Sequence, residues 1–319
     1  ERNRMKKLHY TKIATILLLV LLAMCSRQNF EVKNIERVVL PDSIRFIAPR
    51  FTPDGQTLLL TSAGYRGLWT FDLTGQKLTR LNNYFGAGYQ PQFSPDGQKI
   101  VFRFDRYPNR LRHSYLAIQD LKNHQIQNIV NDKRDLSAPF IYENNKIVYL
   151  LKERLYIHDL NDNQSSTLQT YSQSIDQPFT YSLDDNLVLF DNGHKQLLNP
   201  AGHGHYIWSS VSPDGNKILF TVAGDATYIS DLQGNILTKI EQASSPKWSP
   251  NSKWVLYTVE QDDGHKITSS DIFVTSHDGE IKHQITATPD KIEMHPSWSP
   301  DGDKIVYEIE GKIEILYLD

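Results

Sequence analysis

Short apolar runs alternate with polar turns from about residue 35 to residue 319. In QPQFSPDGQKIVFRF, residues 90 to 104, an aromatic-bearing run enters Ser94-Pro95-Asp96-Gly97 and leaves into Ile100-Val101-Phe102. Pro fixes φ, Asp bonds its own backbone and Gly takes φ > 0, so the stretch predicts two strands joined by a tight turn. The frame recurs at Thr52-Pro53-Asp54-Gly55, Ser212-Pro213-Asp214-Gly215 and Ser299-Pro300-Asp301-Gly302. Weaker copies stand at Tyr142-Glu143-Asn144-Asn145, Ser182-Leu183-Asp184-Asp185 and Ser249-Pro250-Asn251-Ser252. Apolar triplets follow each copy, among them Leu58-Leu59-Leu60, Ile147-Val148-Tyr149, Val188-Leu189-Phe190 and Ile305-Val306-Tyr307.

The second residues of these turns are 53, 95, 143, 183, 213, 250 and 300, so successive spacings are 42, 48, 40, 30, 37 and 50. A period near 40 with several short strands per unit predicts propeller blades. A second signal completes the unit: Leu68-Trp69-Thr70-Phe71 before Asp72-Leu73-Thr74-Gly75, and Tyr228-Ile229-Ser230 before Asp231-Leu232-Gln233-Gly234. A fourth run follows, as in Leu78-Thr79-Arg80-Leu81. Each unit therefore reads as antiparallel strands a, b, c and d, with the Pro-Asp-Gly turn between a and b.

The register also predicts how the ring closes. Pro53 to Asp72 spans 19 residues and so does Pro300 to Asp319, which leaves the seventh unit without strand d. An open strand edge is a liability. The run from Asn34 to Leu40 reads as the missing strand, closing a seven-bladed all-β propeller. A six-bladed ring is the alternative, because the fourth unit is short: 14 residues from Asn199 to Pro213, against 23 from Asp72 to Pro95.

Composition narrows the function. A net charge of −3 gives no general attraction to nucleic acid, and nucleic acid is not expected as a partner. The N-terminal region carries Lys6, Lys7 and Lys12 and then a 12-residue apolar run, Ile13 to Met24. A spanning helix needs about 20 residues, so the run reads as a secretory signal, with a short uncleaved anchor as second choice. Cys25, the sole cysteine, follows at once. Leu22, Ala23 and Cys25 match a lipobox, whereas Met24 departs from its small-residue position. The division expected is residues 1–25 signal with lipobox, 26–33 linker and 34–319 one propeller domain. The location expected is exported: periplasm, or outer-membrane or cell-surface lipoprotein.

The repeats PQFSPDGQKIVF, SSVSPDGNKILF and PSWSPDGDKIVY resemble those of TolB-type β-propellers, the WD40-like or PD40 repeats. The resemblance covers residues from about 35 to 319 and is specific for architecture, since one fold hosts many functions. TolB carries a further α/β domain before its propeller, whereas about 25 residues separate Cys25 from the first repeat here. Prolyl oligopeptidase relatives fuse such repeats to a hydrolase, but this sequence has no G-x-S-x-G elbow.

In such propellers the d–a and b–c loops share the face used for binding, around the central channel. That face should carry Tyr84, Phe85 and Tyr89 and the basic-aromatic loop with Arg106, Tyr107, Arg110, Arg112 and His113. Arginines can grip a carboxylate or phosphate in bidentate fashion, although a charged run is more often a solvated surface. The same face should carry Asp262, Asp263, His265, Glu293 and His295. His295 precedes Pro296 at the channel end of strand a, where other units have Ala48, Gln90, Ala138, Gln177 and Ser245. His194, His203 and His205 fall near the short fourth unit, where Gly202 and Gly204 suit a tight connection in place of a lost strand d better than a metal site. The sequon at Asn163 reads as chance, and neither cofactor nor metal is expected.

Two functional classes follow. The first is a non-catalytic binding or scaffold module of the bacterial cell envelope, presenting its loop face to a protein or other envelope component and attached to the membrane through an N-terminal lipid. The second is a lyase or hydrolase acting on an acidic oligosaccharide at the channel mouth, with Arg110, His113, His265 and His295 as its residues. No paired acid–base motif is present, which places the binding module first.

Overall fold

The computed structural model describes residues 30–143, 145–168 and 175–319. The signal segment and Cys25 lie outside the described residues. Seven antiparallel sheets follow one another around a ring, six of four strands and one of three. Blade 1 is representative: strands Phe46–Phe51 (a), Thr57–Ser62 (b), Arg66–Asp72 (c) and Lys77–Asn82 (d) form a simple meander. The apolar triplets form strand b, and Leu58, Leu60, Ile100, Val101, Phe102, Ile218, Phe220, Ile305 and Val306 are buried there. Their burial builds seven apolar clusters, each joining two neighbouring blades. Burying a side chain of this size contributes about 1.5–3 kcal/mol, so the blade contacts hold the ring.

The Pro-Asp-Gly turns are built as their residues predict. Asp54 Oδ1 accepts the Thr52 hydroxyl at 2.6 Å and the Gln56 amide at 2.9 Å, and Asp96 and Asp214 repeat the pattern with Ser94 and Ser212. Gly55, Gly97, Gly215 and Gly302 take φ of 69° to 78°. These aspartates therefore cap turns. The weaker copies differ. In blades 3 and 4, Glu143 pairs with Lys146 and Leu183 with Asn186, leaving two-residue hairpins in place of the longer frame. Asn145, Asp184 and Asp185 supply the positive φ that such turns need.

The short fourth unit has three strands, Phe179–Leu183, Asn186–Asp191 and His194–Leu197, and lacks strand d, as its length and the connection at Gly202 and Gly204 suggest. One expectation needs correction. The closing strand is Val32–Arg37, displaced from the run ending at Leu40; it pairs antiparallel with Lys312–Leu318 and serves as strand d of blade 7. An outer strand is mostly solvated, so its pattern is nearly all exposed. The apolar residues that suggested a strand do something else: Val38 is buried between blades 7 and 1 and Leu40 packs on the same cluster. Phe30 is also built in, edge-on to Trp254 at 4.8 Å.

Candidate functional site: the channel and its mouth

Strand a of each blade lines the channel, and its local shape repeats. At its start Ala48, Gln90, Trp208, Ser245 and His295 all take φ between 48° and 53°, a region that non-glycine residues seldom occupy. The pairing of a with b shifts at this point in blades 1, 5, 6 and 7, as at a β-bulge. A proline follows in four of the five cases, and a bulge tolerates its missing N–H. Trp208, followed by Ser209, lacked that signal and was missed in the sequence. Ala138 and Gln177 do not share the positive φ.

Beyond the bulge a register ring faces the channel. Arg50, Gln92, Ser210, Lys247 and Ser297 each stand opposite the middle residue of their blade's apolar triplet, Leu59, Val101, Leu219, Leu256 and Val306. All five are half-buried. Arg50 Nη1 donates to the Pro91 carbonyl at 3.0 Å. Burial lowers the Arg50 guanidinium from its ordinary value, and burial with the nearby Arg50 charge brings the Lys247 ammonium down to about 7. A cavity of about 540 Å³ opens here, lined by Arg50, Gln92, Phe140, Asp176, Phe179 and Ser210 among others.

The mouth on the loop side is held by ion pairs. Glu308, buried at the end of strand b in blade 7, accepts Arg45 Nη2 at 3.0 Å through Oε1 and meets His295 Nδ1 at 3.3 Å through Oε2. Beside them Tyr65 and Tyr89 pack edge to face at 5.4 Å. Burial, chiefly, raises the Tyr65 hydroxyl, and Tyr89 and Glu308 add to the shift against Arg50. The Arg103 guanidinium sits 5.7 Å from the Tyr89 ring and its Nη1 donates to the Leu136 carbonyl at 3.3 Å. A charged residue directly after an apolar triplet, as at Glu308 and Arg103, was the sequence signal for this wall.

The other candidates are dispersed. Tyr84 faces inward, its ring stacked on Phe104 at 4.3 Å. Arg106 lies over the Tyr115 ring at 4.9 Å, Tyr107 and Arg110 are exposed on the b–c hairpin of blade 2, and Arg112 Nη2 donates to the Arg134 carbonyl at 3.4 Å. His113 Nδ1 pairs with Asp132 on strand d of the same blade. His265 is exposed on the b–c hairpin of blade 6. The structure thus brings Tyr89 and His295 to the channel mouth, while Arg106, Tyr107, Arg110, Arg112 and His113 form a separate group on blade 2. His205 pairs with Asp185. Among the described residues, no group of three or more His, Cys, Asp or Glu is placed to hold a metal.

Comparison with known proteins agrees with the architecture. No family model matches the chain. It is 25% identical over 276 residues to the Tol-Pal system protein TolB of Francisella tularensis subsp. mediasiatica (strain FSC147), covering 83% of this chain and 57% of that protein. It is 26% identical over 274 residues to the TolB of subsp. holarctica (strain OSU18), with the same coverage. The chain therefore spans a little over half the length of these relatives. The solved TolB of Acinetobacter baumannii is similar with a TM-score of 0.51 at 19% identity, over 82% of this chain and 58% of that one. An oligogalacturonate lyase in complex with manganese is similar with a TM-score of 0.62 at 13% identity, over 92% and 96%. Both solved structures share the β-propeller fold with this chain.

Proposed function

We propose that this chain is an exported, non-catalytic binding module of the bacterial cell envelope. It captures a protein or other envelope component through the loop face of its propeller, in an assembly of the kind that the name of its TolB relatives denotes. Cys25 carries the lipid that attaches the module to the membrane.

The observation that carries this reading is the exposure of large aromatic side chains on one face. Tyr107, Phe85, Trp208 and Tyr89 are 54, 48, 42 and 39% exposed, on b–c hairpins, d–a loops and the starts of strands a. Tyr, Trp and Arg dominate binding hot spots because they bury large area at low entropic cost. The groups on this face best suited to acid–base work are already paired: His295 and Arg45 with Glu308, and His113 with Asp132. Among the described residues these pairs stand on different blades, one at the joint of blades 7 and 1 and one on blade 2, and share no single site, which supports a binding surface.

The test is capture of cross-linked partners from the envelope fraction. R106E/R110E, on the loop face, is compared with K99E/K217E, at the Pro-Asp-Gly side. Partner capture should fall at least tenfold in the first pair and persist in the second. Equal loss in both, or loss only in the second, would place the working surface on the opposite face.

A further inference from the structure

Arg50 and Lys247 occupy equivalent positions on blades 1 and 6, flanking blade 7, and both face the channel. The titratable groups acting on them are few. Arg50 is influenced by Tyr65, and Lys247 by Arg50. Neither forms an ion pair with a carboxylate among the described residues. Among the described residues, blade 5 contributes Ser210, blade 7 Ser297, blade 2 Gln92, and the Lys247 strand itself Ser244 and Ser245, all uncharged. Asp214, on the same cavity wall as Arg50, is held in its turn by the Ser212 hydroxyl and the Asn216 amide. Asp176 lies on the cavity wall and has its own partner.

Two half-buried cations that repel one another in a protein of net charge −3 are costly to keep without an anion. The remaining ring residues supply hydrogen-bond donors, two hydroxyls and an amide. We infer that the channel ring is a binding site for a short dicarboxylate, one carboxylate taken by the Arg50 fork and the other by Lys247, with Ser297 of blade 7 between them. A planar fork and a separate ammonium on different blades suit a two-ended ligand better than one compact phosphate. An anion beside Lys247 favours its charged form, so binding above neutral pH takes up a proton. This site lies below the mouth, and it does not rest on the partner-binding reading; capture of a protein does not enter its test.

Succinate is the probe, titrated calorimetrically into the full chain at pH 8 in two buffers of different ionisation enthalpy. Succinate should bind with proton uptake, and its neutral diamide, succinamide, should not bind. K247M and R50Q should each weaken succinate at least tenfold, and K247M should abolish the buffer dependence, whereas K77M on the outer strand d of blade 1 should change neither. Melting curves with sharp transitions for each variant separate loss of the site from loss of the fold. Equal binding of succinate and succinamide, no binding of succinate at 10 mM, or tenfold tighter binding of inorganic phosphate would each overturn the assignment. An unaltered affinity in a folded K247M would do the same.

Discussion

Arg37 and Glu314 lie 277 residues apart in sequence, yet the Arg37 Nη2 donates to Glu314 Oε1 at 2.7 Å across the joint that closes the ring. The other carboxylate oxygen, Oε2, accepts the Tyr307 hydroxyl at 2.7 Å. Glu314 is almost buried, and each of its carboxylate oxygens has a donor. Removing residues 30 to 40 takes away Arg37, uncovers strand Lys312–Leu318 and exposes the surface under Phe30, Val38 and Leu40. Burial of Val38 and Leu40 alone contributes on the order of 3–6 kcal/mol, comparable to the net stability of a domain. The truncated protein should melt several degrees lower in one transition. An unchanged melting temperature would rule out closure by this segment.

The Lys247 ammonium gives a pH signature with a definite sign. Its folded value, about 7, is below the ordinary 10.5, so between these limits the unfolded chain binds the proton and the folded chain does not. Stability must then rise with pH across that window, and the contribution is complete near 10.5. K247M removes this term. It should melt a few degrees higher than the wild type at pH 6, with the difference shrinking toward pH 9. A difference that is constant with pH would show that Lys247 is not desolvated.

Gly88 fits where no larger residue can. A Cβ there would lie 2.7 Å from Thr61 Cγ2 and overlap Thr61 Oγ1 and Cβ as well, so no rotamer of Thr61 relieves it. The Thr61 hydroxyl is engaged with the Gly67 carbonyl at 2.8 Å, and the Gly88 amide donates to the Tyr65 carbonyl. G88A should cost about 1–3 kcal/mol by overpacking and displace the Tyr65–Tyr89 pair. Thermal melting and the Tyr89 ring resonances report the two effects separately; no change in either would contradict the packing.

Intact-mass spectrometry of the membrane fraction tests the anchor. The expected species begins at Cys25 and carries the added mass of lipid. A chain beginning elsewhere, or an unmodified Cys25, removes the lipid from the proposed function.

The architecture was legible because the signals are local. Pro53-Asp54-Gly55 and its copies announce turns within four residues, and the triplets announce strand b. Where the frame weakens the reading weakened too: Asp184-Asp185 makes a tighter hairpin, and the blade around it has one strand fewer. The channel was legible only where proline marked it. His295 stood out beside Pro296, whereas Trp208 did not. Arg45 and Glu308 escaped notice because their pairing spans 263 residues and only the closed ring brings them together. Lys247 looks like an ordinary strand lysine until the register aligns it with Arg50.

The left-handed residue at the start of each regular inner strand separates two jobs that most strand positions combine. The bulge, with a buried proline after it in four of the five blades, fixes the path of the backbone, and the strain of a positive φ is held by the surrounding blade. The left-handed residue bears the strain in its backbone, and its side chain is left free to vary. Alanine, glutamine, tryptophan, serine and histidine all occupy that position with φ between 48° and 53°. The rim of the channel is therefore a set of interchangeable seats. Evolution can rewrite the chemistry of the mouth one residue at a time while the ring beneath stays the same.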